Sequence, residues 1–436
     1  MNRSAHDQLR LVAFCSRAAA HLFAGEVARA SSFATKHELG LLIEHHLRSA
    51  ITITRVLERD GRAAVPRSWR EQAAGFDVHQ SRDRVARALC SRAERGAREL
   101  RATATVGDRR MPTALITALD RLAAGNTRAE PIPPVIVAGP PSLAPAAWLW
   151  PAVDRWPTAT RPDGCDRGVP GARRQVPHDP RRDPAGIGAF LHNHIGGEYT
   201  TLELSARNSY EHPDLGLSFH RAMARQIGDE ARHAAALEDA AASYGIRYGD
   251  LPTYTGSYDH LYAWDNHRAG SRRELLQRLL IRCTWQEGLA LDDLDREVRR
   301  REWLGQDELA GLFRQLLDDE VHHVANGLRA ARDLAHRLDL DPVAERERAH
   351  AAHLARERAR RERWLRDHWT ETLFDASTGP TSGPTSGPTS GPTSGPEEPP
   401  VPRHLNWTLR VRAGFRAEEL TQDQRWAAVP RGNSAI

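Results

Sequence analysis

The chain has 436 residues, of which 40% are hydrophobic and 27% charged, so it can bury cores in two or three folding units. Its formal net charge is +4, with 57 acidic residues interleaved among 61 lysines and arginines, which argues against a dedicated nucleic-acid-binding surface. No stretch reaches the roughly 18 apolar residues that cross a bilayer, and the first residues lack the apolar core of a signal peptide.

The four cysteines are far apart in the sequence and form no CxxC pair. They are Cys15, Cys90, Cys165 and Cys283. This spacing predicts neither a disulfide framework nor a zinc–thiolate site, and it fits a reducing compartment. We therefore expect a cytoplasmic protein.

Apolar residues three and four positions apart predict an N-terminal helical region over residues 1–125. Residues 126–185 carry many prolines and glycines and predict a connector. Helical spacing returns over residues 186–340, with predicted helices near 187–208, 214–243, 271–300 and 306–337. The interruption at 244–270 holds five of the seven tyrosines, and its length suits the long crossover found in one type of four-helix bundle.

The C-terminal third predicts three further segments. Residues 341–374 predict a charged helix that is either solvated or binds a partner. Residues 375–400 include four TSGP units and predict a disordered spacer rich in Thr, Ser, Gly and Pro. In the tail, 401–436, a period-two run from Leu405 to Val411 predicts a short strand or a docking segment.

Two DExxH motifs carry the chemical information in the sequence: Asp229–His233 and Asp319–His323. Each motif places a glutamate and a histidine one helical turn apart, on the side of the helix that also carries the apolar residues. Glu198 lies on a similar apolar stripe 32 residues before Glu230, and Glu287 lies 33 residues before Glu320. The sequence thus repeats a Glu-then-ExxH pattern, as two helical hairpins that face each other would.

A carboxylate on an apolar stripe needs a compensating charge, from an ion pair or a metal ion. These helices contain no lysine, and all basic residues of the chain except Lys36 are arginines. A bundle with buried arginine salt bridges is therefore the alternative to a metal site. A carboxylate and an imidazole one turn apart suit iron or manganese. Glu203 is a rival to Glu198 for the first position, because it lies on the same helix.

The phrases LHNHIGGEYTTLEL, ARQIGDEARH, QEGLALD and LDDEVHHVANG resemble the ferritin-like diiron-carboxylate proteins, and most closely an uncharacterised bacterial family of unknown function. The resemblance implies an all-α, ferritin-like four-helix bundle with a dinuclear site that holds two iron ions, or manganese and iron. It implies that Glu230 and Glu320 bridge the metals, and that Asp229 and Asp319 hydrogen-bond the histidines. The implied ligands are Glu198, Glu230, His233, Glu287, Glu320 and His323.

Several residues near the implied ligands each allow two interpretations. His192, His194 and His322 are either ordinary histidines or an extra ligand or proton shuttle. Tyr199 is either a packed core residue or an electron donor. The tyrosine-rich segment 244–262 either caps a substrate pocket or packs only against itself.

The leading functional hypothesis is an O2-dependent dinuclear iron oxidase or oxygenase that acts on a small organic substrate and takes electrons from an external donor. The first alternative is a ferroxidase or metal-handling protein, and the second is a hydroxylase of modified RNA. A membrane partner is not expected, and whether the N-terminal region forms a homodimer stays open. The fold supports many activities, so the sequence leaves the substrate undefined.

Overall fold

The computed structural model describes residues 3–27, 30, 32–59, 82–104, 111–124, 183–213, 215–251, 271–375 and 405–428. In this part of the chain there are α-helices, one π-helix and connecting turns but no strand, which confirms the all-α prediction. The connector up to residue 182 and the TSGP spacer from residue 376 lie outside the described residues. Within the described segments, no helix has both the length and the apolar character needed to cross a membrane.

The chain divides into two compact units, residues 1–167 with 176–276, and residues 168–175 with 277–436. The described helices of the first unit are α1 (Arg3–Val27), α2 (Phe33–Arg59), α3 (Arg82–Ala104), α4 (Thr113–Ala124), α5 (Pro184–Glu211) and α6 (Leu217–Ser243). A short helix, α7 (Arg272–Arg278), leads into the π-helix Leu279–Gln286. The second unit continues with α8 (Glu287–Trp303), α9 (Asp307–Arg337), α10 (Pro342–Asp375), α11 (Trp407–Arg412) and α12 (Ala417–Ala428).

In the first unit, α1 packs against α2 and α5, and α6 packs against α2 and α5. One core lies among α1, α2, α3, α5 and α6, and it is filled by residues such as Phe14, Phe23 and Leu202. A second core, with Leu9 and Leu119, joins α3 and α4 to the outer side of α1 and α2. The predicted N-terminal helical region therefore shares a core with α5 and α6.

Two glycines allow α2 and α6 to approach closely. A Cβ atom on Gly228 would lie 2.2 Å from Oε2 of Glu44, and one on Gly40 would lie 3.0 Å from Cβ of Ala231. No larger residue fits at Gly228 without displacing α2, because Cβ of Glu44 is also only 2.9 Å away. This close contact places α2 directly beside the helix that carries the first ExxH motif.

A buried ion pair between a lysine and a glutamate lies in the first unit. Nζ of Lys36 in α2 lies 2.9 Å from Oε1 of Glu203 in α5, and both side chains are fully buried. The same Nζ donates a hydrogen bond to the carbonyl oxygen of Val27, at 2.8 Å. Lys36 is distant from Glu203 in sequence and reaches it through the packing of α2 in the core.

His46 of α2 is fully buried, and neither ring nitrogen has a hydrogen-bond partner among the described residues. Burial, assisted by the positive charge of His45, lowers the pKa of His46 to about 3. In the unfolded state His46 has a pKa near 6.5, so below pH 6.5 the unfolded state binds more protons than the folded state. The unfolding free energy therefore decreases as the pH falls from 6.5 towards 3.

We expect His46→Leu to reduce the acid sensitivity of the first unit. Between pH 7 and pH 5 the wild type should lose about 2 kcal/mol of unfolding free energy through His46, and the variant should not. Urea unfolding at the two pH values, followed by circular dichroism, measures this difference. An equal loss in both proteins would show that His46 does not resist protonation in the folded state.

In the second unit, the helix predicted near 271–300 is interrupted by the π-helix, and α9 packs against it. A Cβ atom on Gly327 of α9 would lie 2.5 Å from Cβ of Cys283 and 2.6 Å from its carbonyl oxygen. Only a glycine at this position lets α9 approach the π-helix so closely. The close contact holds the segment before Glu287 against the helix that carries the second ExxH motif.

The strand interpretation of the tail is wrong. Residues Trp407–Arg412 form α11, whose N-terminus is capped by the side chain of Asn406, which accepts from the backbone N–H of Leu409 at 3.1 Å. The period-two spacing misled because six residues are too few to distinguish a strand from a helix when tertiary contacts decide. The docking interpretation fits the contacts that this segment makes with the rest of its unit.

Candidate metal centre

The first carboxylate–histidine half-site consists of Glu198 from α5 and of Glu230 and His233 from α6. Glu230 and His233 are each 1% exposed. Nδ1 of His233 lies 3.4 Å from Oε2 of Glu198 and 3.7 Å from Oε2 of Glu230. One donor atom from each residue lies within 4.8 Å of the others. Since bonds from a metal to such donors are about 2 Å long, a single ion could contact all three.

The electrostatics of this half-site keep Glu198 ionised. Burial acts to raise its pKa, but hydrogen bonds with His233 and Glu230 and the positive charges of His233 and His194 outweigh burial and lower the pKa to about 2. A buried carboxylate that stays anionic is a hard oxygen donor of the kind that divalent iron or manganese accepts. The donor set therefore fits a metal ion.

The second carboxylate–histidine half-site consists of Glu287 from α8 and of Glu320 and His323 from α9. Their exposures are 2%, 4% and 0%. Nδ1 of His323 lies 3.3 Å from Oε2 of Glu320, and Nε of Arg282 lies 3.4 Å from Oε1 of Glu287. The second unit thus repeats the residue types and the one-turn spacing of the first half-site.

The pKa of Glu287 is shifted in the opposite direction to that of Glu198. Burial raises the pKa of Glu287 well above its usual value, and the charge of Glu320 and a hydrogen bond with it act in the same direction, against the attraction of Arg282. A bound cation would lower the pKa of both carboxyl groups, because carboxylate ligands coordinate in their ionised form.

The π-helix sets the orientation of Glu287. The backbone N–H of Glu287 donates to the carbonyl oxygen of Arg282, five residues earlier, as in a π-helical turn. Such turns add a residue to the helical repeat and therefore rotate the side chains that follow them. The regular stripe that the sequence predicts through Leu280 and Cys283 to Glu287 is thus interrupted by a turn with more residues than an α-helical turn, and π-turns are frequent at functional sites.

The two predicted supporting aspartates lie in different surroundings. The Asp229 carboxylate accepts from Nε of Arg225 at 3.2 Å and also pairs with Arg232, which in turn donates to Glu44 of α2 at 2.6 Å. Asp319 is half-buried on α9. Asp229 thus belongs to an arginine network that connects α6 to α2.

Glu198 and Glu203 have separate roles in the structure. Glu198 is 13% exposed and lies beside His233, whereas Glu203 is fully buried and pairs with Lys36. A carboxylate with a lysine ammonium at 2.9 Å already has its compensating cation. The packing therefore favours Glu198 over Glu203 as the α5 residue of the half-site.

An aromatic cluster surrounds Tyr199. Its hydroxyl donates to Oε1 of Glu238 at 2.6 Å, and its ring centroid lies 4.6 Å from that of Phe33 and 5.4 Å from that of Tyr248. Burial, together with the bond to Glu238, raises the pKa of Tyr199. Tyr199 is thus a packed neutral phenol. The rest of the tyrosine-rich segment, from residue 252, lies outside the described residues.

The neighbouring histidines also differ. Nε2 of His192 accepts from the backbone N–H of Gly249 at 2.9 Å, so this side chain anchors the turn after α6. Burial lowers the pKa of His192 to about 4, although Asp250 acts to raise it. His194 is half-buried and contributes charge at Glu198, while His322 is exposed.

Sequence reasoning missed the partners that α2 and the end of α6 contribute around the first half-site, chiefly Lys36, Glu44 and Glu238. Lys36 had a usable signal, because the only lysine in an arginine-rich chain, followed by helical apolar spacing, marks an unusual position. Glu44 and Glu238 had no such signal in the sequence, since a single glutamate on a helix is usually solvated.

Comparison with known proteins gives one family match. The family model described as "Protein of unknown function (DUF455)" matches residues 151–364, which include the six glutamate and histidine residues of both half-sites. Searches of curated proteins and of solved structures gave no match. The part of the chain that carries both half-sites is therefore similar to a family of unknown function.

Proposed function

We propose that the two half-sites hold two iron ions and that the protein is an O2-dependent oxidase or oxygenase acting on a small organic substrate. The observation that carries the proposal is the first half-site, where two carboxylates and an imidazole converge within 4.8 Å in a buried environment. The second half-site repeats the donor types in the same order along the chain.

The finer fold assignment belongs to the same proposal: the helices that carry the ligands form a ferritin-like four-helix bundle. Its support is the mirrored Glu-then-ExxH spacing, which di-iron carboxylate bundles share. The donor set of four carboxylates and two imidazoles favours iron, or manganese with iron, over softer metals. Bound iron would supply the reduction of O2, with electrons from an external donor.

The protein side chains would hold the ions and keep water away. Ile195, Leu202, Ile227 and Leu237 lie one or two turns from the ligands on α5 and α6, and each is fully buried. An apolar surround prevents water from consuming a reactive oxidant before the substrate does. The aromatic cluster at Tyr199 extends the apolar surround to Tyr248 in the turn after α6.

The test is metal analysis after anaerobic loading with Fe(II), followed by O2-uptake measurements. We expect about two irons per chain in the wild type and O2 consumption that depends on them. Glu230→Ala and Glu320→Ala should each bind fewer irons and lose O2 uptake, because each removes a buried ligand.

Two variants serve as matched controls, Asp239→Ala on α6 and Asp318→Ala on α9, since both remove an exposed carboxylate from a ligand-bearing helix. Both should retain the iron content and O2 uptake of the wild type. A wild type that binds less than one iron per chain, or that binds two and consumes no O2, would overturn the proposal.

A further inference from the structure

The segment after the TSGP spacer docks on the second unit. We name residues 405–428, with α11 and α12, the C-terminal cap. α11 packs against α8 and α9, and α12 packs against α10. Although the sequence separates the cap from α10 by a low-complexity spacer, several of its polar contacts with these helices are buried.

Arg410 is the centre of the cap's contact with α8. Its guanidinium is fully buried, and Nη2 donates to the carbonyl oxygen of Gly288 at 2.8 Å and to Oδ2 of Asp292 at 2.6 Å. Nη1 donates to Asp423 of α12. A Cβ atom on Gly288 would lie 3.1 Å from Nη1, so the glycine permits this approach. Gly288 directly follows Glu287 of the second half-site.

A second contact reaches the π-helix on the other side of Glu287. The ring of Trp426 in α12 lies 5.1 Å from that of Trp285 and stacks on His350 of α10 at 3.7 Å. Arg346 donates to Asp423 at 2.6 Å and lies over the Trp426 ring at 4.7 Å. The cap therefore contacts the residue two positions before Glu287 and the residue immediately after it.

The start of the cap is fixed to the same helix. The backbone N–H of Asn406 donates to Oδ1 of Asp292 at 2.6 Å, and its side-chain amide donates to Oδ2 of Asp295 at 3.1 Å. Asp292 thus receives hydrogen bonds from both Asn406 and Arg410. Charged groups this deeply buried are costly to leave unpaired, so the contact is specific in register.

We propose that the C-terminal cap is a positioning module for Glu287, with Arg410 as its principal positioning residue. π-helical turns are rare and short, and α8 begins directly after this one. The orientation of the first turn of α8 therefore depends on the π-helix. The cap clamps both sides of this junction through Trp285 and the Gly288 carbonyl. Its effect on metal binding rests on the proposed function, whereas its effect on the junction does not.

The test uses the full chain with Arg410→Met, which removes the hydrogen bonds but keeps an extended apolar side chain. Hydrogen exchange of peptides covering residues 279–292 is measured without metal, and Fe(II) affinity is measured by competition with a chelator. We expect at least tenfold faster exchange in this region. Affinity for one of the two irons should fall by about 10- to 100-fold, the range seen when ligand-supporting contacts are removed.

Arg410→Lys should restore part of the protection, because an ammonium can still reach one or two of the acceptors. The matched control is Arg412→Met, which removes an exposed arginine from the same helix and should change neither readout. Trp426→Ala removes the contact between Trp426 and Trp285 and should accelerate hydrogen exchange near Trp285.

The outcomes separate the two proposals. Unchanged exchange over residues 279–292 in Arg410→Met overturns the positioning role, whatever the iron content. If the wild type binds no iron, the proposed function fails, and faster exchange in the variant still supports the cap as the clamp of this junction. If both irons bind Arg410→Met with wild-type affinity, the cap does not position Glu287 for metal binding.

Discussion

Replacing Lys36 with methionine is expected to destabilise the first unit by about 3–5 kcal/mol, because the buried Glu203 carboxylate would lose the ammonium that pairs with it. The substitution preserves most of the side-chain volume, so the lost charge and hydrogen bonds dominate over packing. In thermal unfolding, a loss of this size corresponds to a decrease in Tm on the order of 10 °C. Urea unfolding followed by circular dichroism measures the free-energy change directly.

The double variant Lys36→Met with Glu203→Met separates charge from packing. Buried ion pairs replaced as a whole by apolar residues of similar volume are often neutral or more stable, so we expect recovery of most of the lost stability. Arg48→Met is the exposed control, since Arg48 pairs with Glu44 on the same helix but is 51% exposed, and it should cost less than about 1 kcal/mol. A double variant as unstable as the single one would refute this explanation.

Glu198→Ala and Glu203→Ala are expected to differ in their effect on metal binding. Glu198→Ala should weaken Fe(II) binding by more than about 100-fold, because loss of a ligand exceeds the 10- to 100-fold cost of losing an outer partner. In the metal-free protein it should also lower the unfolding free energy, because the attraction of His233 and His194 for the Glu198 carboxylate is lost. Glu203→Ala should leave Fe(II) binding unchanged and lower the unfolding free energy by about 3–5 kcal/mol, because it removes the carboxylate that pairs with the buried Lys36.

Fe(II) titration against a chelator and urea unfolding on the same preparations measure both effects. Asp239→Ala, an exposed change on α6, is the control for both readouts. If Glu203→Ala lost iron while Glu198→Ala retained it, Glu203 would be the α5 ligand and the assignment from packing would be wrong.

The sequence by itself determined the all-α class and the residues of both half-sites as candidates. Both follow from local periodicity, since an i, i+3 spacing on an apolar stripe fixes which side chains share a buried helix face. Glu230 and His233 are buried together for this reason, as are Glu320 and His323. The apolar stripe also made Glu203 a rival to Glu198, and periodicity alone could not choose between them.

Only the tertiary structure decided which charges meet across helices. The pairing of Lys36 with Glu203 joins residues far apart in sequence, and Arg410 reaches Gly288 and Asp292 across a low-complexity spacer. The π-helix before Glu287 also has no local signature, and its contacts with Gly327 of α9 and with Trp426 of the C-terminal cap join residues far apart in sequence. Local spacing specifies the helix faces, but the partners of those faces depend on long-range packing, which a periodic pattern does not encode.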